Sequence, residues 1–476
     1  MVNSPTRAQP PLNFIPPALD SRVLTLARWA APKWMGWRER ITQVEAVQVE
    51  RLVELYQDFQ QGKARFLLAF RHPSPTDSFA LARLLWDQVP HTAKAMGVRL
   101  AEPVHTHFIY DRGIPLWAGQ GVGWLYSRLG GTPIQRGKVD RQGLRSARDL
   151  FANGQFPLAA APEGGNNGHS EIVSPLEPGI AQLGFWCVED MLKAGRTEQV
   201  FLLPVGIAYR YLTPPWQAVE HLLTTLERES GAARSTSARQ AASSAVSQPG
   251  RLEALEPMQQ LYPRLYRLGE HLLALMETYY RDFYGYSFER RSEAAVPTSG
   301  EQAMLTARLQ ALLNAALQVA ESYFQLTPKG TVIERCRRIE QAGWDRIYRS
   351  ELAAGRLLSP VELGLADRIA EEASLRMWHM RLVENFVAVT GNYVREKATA
   401  ERFAETLLLL RDTVLMIQEK NPFPRPKLAD QKVLLTVGTP ILVSDRWTAY
   451  QTSRRQAVAQ LTQELQVALE ALIPTG

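Results

Sequence analysis

Residues 64–89, ARFLLAFRHPSPTDSFALARLLWDQV, give the clearest indication of the fold class. Residues 64–70 form a short apolar run typical of a buried strand, 71–77 carry turn residues, and 78–89 repeat apolar residues at helical spacing. Helical patterns separate this segment from further short strands, which are predicted at 105–110, 132–135, 157–161 and 200–209. Strands that alternate with helices predict an α/β domain built on a largely parallel sheet.

The chain that follows the last of these strands has a different pattern. Strand signals stop at 212, and a loop or linker is predicted at 231–250 because this segment lacks large apolar residues. Long apolar stripes at helical spacing surround it, and such stripes are typical of helix-bundle core. They comprise Leu305, Leu309, Leu312, Ala316, Val319 and Tyr323, and Ile369, Ala373, Met377, Met380, Val383 and Val387. We therefore expect an α/β core at 64–212 and a helical insertion at 213–431.

Strand character returns near the end of the chain. KVLLTVGTPILV, residues 432–443, is β-branched and apolar, and a charged amphipathic helix is predicted over 449–472. Domains tolerate insertions between their own strands, so the simplest arrangement returns 432–476 to the α/β core. The sequence thus predicts an α/β fold with a mixed sheet flanked by helices and a large all-helical insertion before the last strand and helix.

An amphipathic helical segment, residues 1–63, is predicted in front of the core. Residues 1–18 are proline-rich and predicted to be flexible, 19–37 alternate an aromatic face with basic residues, and 44–60 predict a second helix. The aromatic and apolar face comprises Val23, Leu26, Trp29, Trp34 and Trp37, and the cations are Arg22, Arg28, Lys33 and Arg38. This composition fits a helix in a lipid headgroup layer. It also fits a surface helix that packs its tryptophans on the protein body and breaks at Pro32.

The composition is that of an ordinary soluble protein. Hydrophobic residues make up 45% of the 476 residues and charged residues 21%, which excludes collagen-like, wholly disordered and multi-span membrane classes. With 54 basic and 48 acidic residues, the net charge of +6 fits a nucleic acid, an anionic membrane or a phosphorylated substrate equally. Cys187 and Cys336 are too few for a disulfide framework, which predicts a reducing compartment.

Targeting signals are missing from the sequence pattern. No uncharged apolar run reaches the roughly 18 residues that a membrane-spanning helix needs. The proline-rich N-terminal residues lack the apolar core of a signal peptide. We therefore expect a cytoplasmic protein without a transmembrane helix, which meets a membrane peripherally on its cytoplasmic face.

His72 and Asp77 form the first chemical motif, His-x-x-x-x-Asp in HPSPTD. The histidine leaves a strand and the aspartate stands at the predicted N-cap of the next helix, so the loop can bring the two together. The carboxylate would then fix the imidazole tautomer, and the imidazole would act as a general base near neutral pH. Taken alone the spacing is a weak signal, because a capping aspartate beside an unrelated histidine gives the same pattern.

Three further segments accompany this motif in order along the chain. GGTPIQRGK places Arg136 and Lys138 after a short strand, where they either form a solvated edge or bind a phosphate. APEGG brings Glu163 to a strand-to-loop turn, where glycines allow a backbone to approach a ligand closely. LLPVG, at 202–206, holds a proline in an apolar strand, which is unusual for a central strand.

The order and spacing of these segments resemble those of the glycerolipid acyltransferases, and most closely the 1-acyl-glycerol-3-phosphate (lysophosphatidate) acyltransferases. In that family the first block reads Asn-His-x-Ser-x-x-Asp, the second carries a phosphate-binding arginine, the third reads Phe-Pro-Glu-Gly-Thr, and the fourth is a Pro-Val strand. The four blocks map, in order, onto 71–77, 131–136, 161–165 and 203–205. VGTPI, at 437–441, and the helix after it resemble the family's closing strand and helix.

The resemblance implies direct acyl transfer from a thioester to a glycerol-phosphate hydroxyl. In it, His72 is the general base and Asp77 orients and charge-balances His72. The residues that the resemblance implies for substrate binding are Ser74, Arg136, Lys138, Glu163 and Gly164. The sequence departs from the family pattern at three positions that bear on acceptor and acyl-chain preference, namely Arg71 for Asn, Ala161 for Phe and Gly165 for Thr.

The acceptor implied first is 1-acyl-glycerol-3-phosphate, and glycerol-3-phosphate is the alternative. Acyl-carrier protein and acyl-CoA are both open as donors, and no cofactor is expected. A lipid acceptor adds an anionic membrane surface as a partner, which the segment 1–63 would contact. A catalytically decayed helical scaffold or membrane-binding protein is the alternative of another class, and the joint retention of His72, Asp77, Arg136 and Glu163 argues against it.

Three other chemistries have weaker support. His105 and His107 form a His-x-His pair on a strand. No third ligand follows at a spacing typical of metal sites, so no metal site is predicted. HSE, at 169–171, lacks the Gly-x-Ser-x-Gly turn of a serine hydrolase. A nucleic-acid partner would rest on the basic charge alone and has no matching motif, so none is expected.

Overall fold

The computed structural model describes residues 7–136, 140–232, 257–288, 299–353, 358–386 and 392–474. The chain forms two compact units. We call Leu12–Leu212 with Asp430–Gly476 the sheet unit, and Met1–Pro11 with Thr213–Ala429 the helical unit. From residue 233 onward, the predicted loop at 231–250 lies outside the described residues.

The sheet unit alternates helices and strands, as the sequence predicts. Its elements up to the last strand before the helical unit are α1 (Ser21–Trp37), β1 (Ile41–Val47), α2 (Val49–Gln60), β2 (Ala64–Phe70), α3 (Asp77–Arg83), α4 (Val89–Ala95), β3 (His107–Asp111), α5 (Ile114–Ala118), α6 (Gln120–Arg128), β4 (Gly131–Ile134), α7 (Arg141–Asn153), β5 (Leu158–Ala160), α8 (Gly179–Lys193) and β6 (Gln199–Tyr211). All five strands predicted between 64 and 209 are therefore confirmed.

Within the described residues, the regular elements of the helical unit are helices, apart from one bridge between Gln9 and Tyr348. They are α9 (Trp216–Ser230), α10 (Pro257–Tyr284), α11 (Ser299–Phe324), α12 (Val332–Ile347), α13 (Ser350–Ala353), α14 (Pro360–Phe386), α15 (Tyr393–Glu396) and α16 (Ala400–Ile417).

The two predicted apolar stripes lie on α11 and α14. Leu312 and Ala316 of α11 are buried in one core with Met377 and Met380 of α14, which confirms their assignment to core. Ile369 is exposed instead. Val387 lies outside the described residues.

The chain returns to the sheet unit for its last elements. They are β7 (Gln431–Val437), β8 (Ile441–Leu442), α17 (Trp447–Thr452) and α18 (Arg454–Glu470). The helical elements thus lie between β6 and β7 in the sequence, as predicted. The single closing helix expected over 449–472 is divided at Ser453, whose extended backbone separates α17 from α18.

Eight strands form one mixed sheet in the order β1–β7–β6–β2–β5–β3–β4, with β8 also paired to β6. The run from β6 to β4 is parallel, whereas β7 is antiparallel to β6 and parallel to β1. The register places Ala69 of β2 beside Ala160 of β5 and Pro204 of β6. Because the carboxyl ends of parallel strands share one edge of a sheet, the loops after β2 and β5 leave it side by side.

Helices cover both faces of this sheet. Successive side chains of a strand point to opposite faces. Phe66 of β2 packs in one core with Tyr56 of α2, and Leu67 packs in a second core with Phe185 of α8. A strand buried on both faces appears in the sequence as a nearly continuous apolar run, which explains the apolar composition of ARFLLAF.

The N-terminal segment differs from its prediction, because the helix expected from 44 begins at Val49. Residues 41–47 instead form β1, which lies at the edge of the sheet and pairs with β7. In QVEA, residues 43–46, polar and apolar residues alternate, which is the period of a strand with one covered face. Gln48, with a left-handed φ of 59°, separates this strand from α2.

Helix α1 runs through Pro32 and exposes its tryptophans. Trp29 is 63% exposed and Trp37 79%, while the opposite face buries Leu24 and Met35. The alternative in which the tryptophans pack on the protein body is therefore wrong. No helix in the described part of the chain is both long and apolar enough to cross a bilayer.

Candidate active site

The candidate site lies at the carboxyl edge of the sheet. His72 follows β2, Asp77 is the first residue of α3, and Glu163 follows β5. The backbone N–H of Asn167, in the loop after β5, donates to the carbonyl of His72 at 3.3 Å. The neighbouring positions of β2 and β5 in the sheet thus bring the two sequence motifs into direct contact.

His72 and Asp77 are hydrogen-bonded, with 2.9 Å between Nδ1 and Oδ2. The Asp77 side chain is fully buried and the His72 side chain is 26% exposed. The same Oδ2 accepts the backbone N–H of Ser74 at 2.9 Å. Because the carboxylate can only accept, the neutral imidazole carries its proton on Nδ1 and presents a lone pair on Nε2. This is the arrangement of a general base oriented by a carboxylate.

Asp77 is not the N-cap of α3, which corrects its predicted position. Thr76 occupies the cap, and Asp77 is the first helical residue. Its carboxylate turns back to the loop, where Ser74 and His72 donate to it. The helix end still contributes, because the partial positive charge of an N-terminal turn stabilises a carboxylate there.

The hydroxyl of Ser74 binds within the same loop. Its Oγ lies 2.8 Å from Oγ1 of Thr76, and the backbone N–H of Thr76 donates to it at 3.3 Å. Ser74 therefore braces the turn that carries Asp77. Its predicted contact with a substrate stays a prediction.

Glu163 is buried and its two carboxylate oxygens are both hydrogen-bonded. Oε1 accepts the backbone N–H of His72 at 2.8 Å, and Oε2 accepts the backbone N–H of Ser174 at 2.8 Å and the side chain of Asn167 at 3.0 Å. The guanidinium of Arg71 also donates to Oε1, with 3.4 Å between Nε and Oε1. The carboxylate therefore joins the loop after β5 to the backbone of the candidate base.

Arg71 is a site residue whose contacts the sequence did not reveal. Its side chain is 1% exposed. Besides Glu163, it donates to the carbonyls of Ser170 at 2.9 Å and His169 at 3.1 Å, and to that of Ile172. It thus fixes the backbone of 169–172 against the end of β2. Its departure from the family's asparagine was the one signal that pointed to it.

Arg136 follows β4 and is held beside the loop after β5. Its guanidinium donates to the carboxylate of Asp111, at the end of β3, and to the carbonyl of Gly164. About a third of its side chain is exposed. Arg136 is thus bonded to the loop after β5 through Gly164. The same loop is bonded to His72 through Glu163.

The two residues after Glu163 are both glycines, and the local geometry favours glycine at each position. Gly164 has a φ of +70°, which favours glycine. A Cβ atom at Gly165 would lie 3.2 Å from a terminal nitrogen of Arg136, closer than an ordinary contact. The glycine that replaces the family's threonine therefore leaves room for the arginine.

Two predictions concern residues away from this cluster. Lys138 lies outside the described residues. His105 and His107 each donate a ring N–H to a backbone carbonyl, that of Leu129 at 2.9 Å and that of Gly130 at 3.0 Å. Burial lowers the pKa of His105 to about 4 and also lowers that of His107. Both are thus neutral packing residues at pH 7.

Tyr209, on β6, also contacts the pair and was not singled out from the sequence. Its hydroxyl donates to Oδ1 of Asp77 at 2.5 Å. Burial, with the adjacent carboxylate, raises the pKa of Tyr209 well above 10, so the hydroxyl stays protonated. No motif marks it, because the contact depends on the pairing of β6 with β2.

Residues 44–207 match the family model described as Acyltransferase. The match runs from within β1 to within β6 and includes His72, Asp77, Arg136 and Glu163. No curated protein and no solved structure matches the chain.

Proposed function

Residues 44–207 form an acyltransferase domain of the glycerolipid acyltransferase family, and from this premise we propose that the chain moves a fatty acyl group from a thioester to a glycerol-phosphate hydroxyl. The acceptor we propose is 1-acyl-glycerol-3-phosphate, which gives phosphatidate. The observation that carries the proposal is the 2.9 Å hydrogen bond between the buried carboxylate of Asp77 and the partly exposed imidazole of His72.

In the proposed reaction, His72 is the general base. Its Nε2 takes the proton from the acceptor hydroxyl as the oxygen attacks the thioester carbonyl. The new carbon–oxygen bond forms, the carbon–sulfur bond breaks, and the departing thiolate receives the proton back from the imidazolium. Proton transfer of this kind contributes about 10²–10⁴ in rate.

Asp77 would serve the base in two ways. It holds the proton on Nδ1, so that Nε2 is the nitrogen left to accept. It also balances the charge of the imidazolium that forms during the reaction. Because Asp77 is fully buried, this interaction is screened little by solvent.

Arg136 is the proposed phosphate ligand. A guanidinium presents several N–H donors in a planar fork that matches phosphate oxygens. Arg136 is partly exposed and is fixed beside Gly164 by hydrogen bonds to Asp111 and to that carbonyl. Glycerol-3-phosphate carries the same phosphate, so it is the alternative acceptor.

Helix α1 supports a membrane surface as partner. It exposes Trp29, Trp34 and Trp37, and no acidic residue occurs between Ser21 and Trp37. Tryptophans beside cations are the composition of helices that bind anionic headgroups. A chain docked in this way would meet a lipid acceptor at the membrane, and the expected side is the cytoplasmic one.

The test is labelled acyl transfer by the purified full-length chain on vesicles. Lysophosphatidate and glycerol-3-phosphate would each be offered with acyl-CoA and with acyl-carrier protein, since both donors are open. We expect label in phosphatidate with at least one donor, and loss of that label with His72→Ala. Label only in 1-acyl-glycerol-3-phosphate would assign the alternative acceptor.

The absence of transfer with all four pairs would contradict the proposal. A folded chain that binds the vesicles without transferring label would be the membrane-binding scaffold considered from the sequence. Two observations argue against that alternative. His72 and Asp77 are hydrogen-bonded, and Arg136 is bonded to the loop after β5, which also contacts His72.

A further inference from the structure

Three side chains form a hydrogen-bonded chain at the candidate site. The hydroxyl of Tyr209 donates to Oδ1 of Asp77 at 2.5 Å, and Oδ2 of Asp77 lies 2.9 Å from Nδ1 of His72. The hydroxyl of Thr76 donates to the Tyr209 oxygen at 3.1 Å, which directs the tyrosine's own proton toward Asp77. All but the imidazole are buried.

The register of the sheet places Tyr209 there. Val205 of β6 is paired with Phe70, the last residue of β2, so Tyr209 lies four residues beyond the end of β2. There it is still paired with Val433 of β7, but on the side of β2 its hydroxyl contacts Thr76 and Asp77, which follow that strand. Its backbone N–H donates to Oγ of Ser170 at 3.2 Å. Tyr209 is therefore fixed on the sheet, whereas its partner Asp77 is the first residue of α3, after the loop that follows β2.

We propose that Tyr209 is a positioning residue, which fixes the carboxylate of Asp77 and through it the orientation of His72. Oδ2 of Asp77 is held by Ser74 and His72. Among the described residues, Tyr209 is the donor to Oδ1. With donors on both oxygens, the carboxylate cannot rotate about its Cβ–Cγ bond without losing one of them. This inference rests on the proposed acyl transfer.

The test compares Tyr209→Phe with Tyr56→Phe in the full-length chain. Tyr56 is a matched control, because its hydroxyl is equally buried in the sheet unit but bonds the backbone of His105 at 2.7 Å. We expect Tyr209→Phe to lower kcat about tenfold and to leave KM for donor and acceptor within about twofold, since Tyr209 orients the base and binds no substrate. We expect Tyr56→Phe to leave kcat within about twofold.

A second readout does not depend on activity. Nitrogen chemical shifts of the His72 ring, assigned by comparison with His72→Ala, report which nitrogen carries the proton. We expect the Nδ1–H form to dominate in the wild type and both tautomers to be populated in Tyr209→Phe. If Tyr209→Phe does not fold, Thr76→Val removes the hydroxyl that orients Tyr209 and should lower kcat in the same direction, about threefold.

The experiments can contradict either proposal independently of the other. Acyl transfer with unchanged kcat and unchanged ring signals in Tyr209→Phe would overturn the role of Tyr209 and leave the proposed function standing. No transfer by the wild type, with the expected tautomer change in Tyr209→Phe, would overturn the function and support the positioning of His72.

Discussion

The carboxylate of Glu163 accepts the backbone N–H of His72 at 2.8 Å. It also neutralises Arg71, which is buried beside it and bonds the carbonyls of the loop after β5. The glutamate of the third sequence block therefore holds the backbone of the candidate base and the loop around it. We therefore expect substitution of Glu163 to lower the free energy of unfolding.

We expect Glu163→Gln to lower the free energy of unfolding of the sheet unit by about 3–5 kcal/mol, because it leaves the Arg71 cation buried without its counter-charge. The control is Glu45→Gln, which removes a pair with Lys432 that is exposed in the same unit and should cost less than about 1 kcal/mol. Urea titration of both variants measures the difference. Equal, small losses would show that the buried pair is not needed.

Arg136 is expected to act on acceptor binding. Arg136→Met should raise KM for a phosphate-bearing acceptor about tenfold or more and change kcat less, since the phosphate is bound before and during the reaction. Arg136→Lys keeps the charge but loses the planar fork, so we expect an intermediate KM. Arg145→Met, at an exposed position on α7, is the control. A fall in kcat with unchanged KM would assign Arg136 a different role.

The exposed tryptophans of α1 are expected to be needed for vesicle binding. Removing the whole segment would also remove Leu24 and Met35 from the core, so point substitutions are the better test. Trp29→Ala with Trp37→Ala should strongly reduce flotation with phosphatidylglycerol vesicles, and raised salt should weaken wild-type binding. Leu192→Ala with Val467→Ala, exposed elsewhere in the sheet unit, is the control pair. Unchanged flotation of the tryptophan variant would exclude α1 as the contact.

We expect His379 to make the helical unit less stable in acid. It is buried between Tyr280 and Tyr284, whose hydroxyls lie 2.6 Å and 3.2 Å from its ring nitrogens. Burial, with the charge of Arg376, lowers the pKa of His379 from 6.5 to about 4. Between pH 6.5 and 4 the unfolded chain therefore binds a proton that the folded chain does not, and stability falls as the pH falls.

The size of this effect follows from the shift. At pH 4.5 the wild type should have lost about 2–3 kcal/mol through this group, relative to pH 7. His379→Gln removes the titrating group, so its urea midpoint should fall less over the same pH interval. The same pH dependence in the two proteins would show that His379 titrates normally.

The sheet and the His72–Asp77 pair could be predicted because their signals are local. β2 is an apolar run followed at once by turn residues, and only four residues separate His72 from Asp77 along the chain. β1 could not be predicted in the same way. Its partner β7 lies almost 400 residues further on, and only pairing with β7 makes a strand of that short alternating segment.

The roles of Arg71, Glu163 and Tyr209 depend on contacts between distant segments. The Arg71–Glu163 pair forms because β2 and β5 are neighbours, and Tyr209 reaches Asp77 because β6 extends past the end of β2. Sequence patterns name the residues of the first and third blocks, but not which of their atoms meet. The structure adds that Glu163 is bonded to protein donors on both oxygens.

The rate of acyl transfer by His72→Ala tests the proposed function most directly. His91→Ala is the matched control, because His91 is an exposed histidine on α4 of the same unit. If His72 is the base, kcat of His72→Ala should fall at least about 10²-fold, while His91→Ala stays within about twofold of the wild type. A His72→Ala variant that transfers label at the rate of His91→Ala would contradict the proposal.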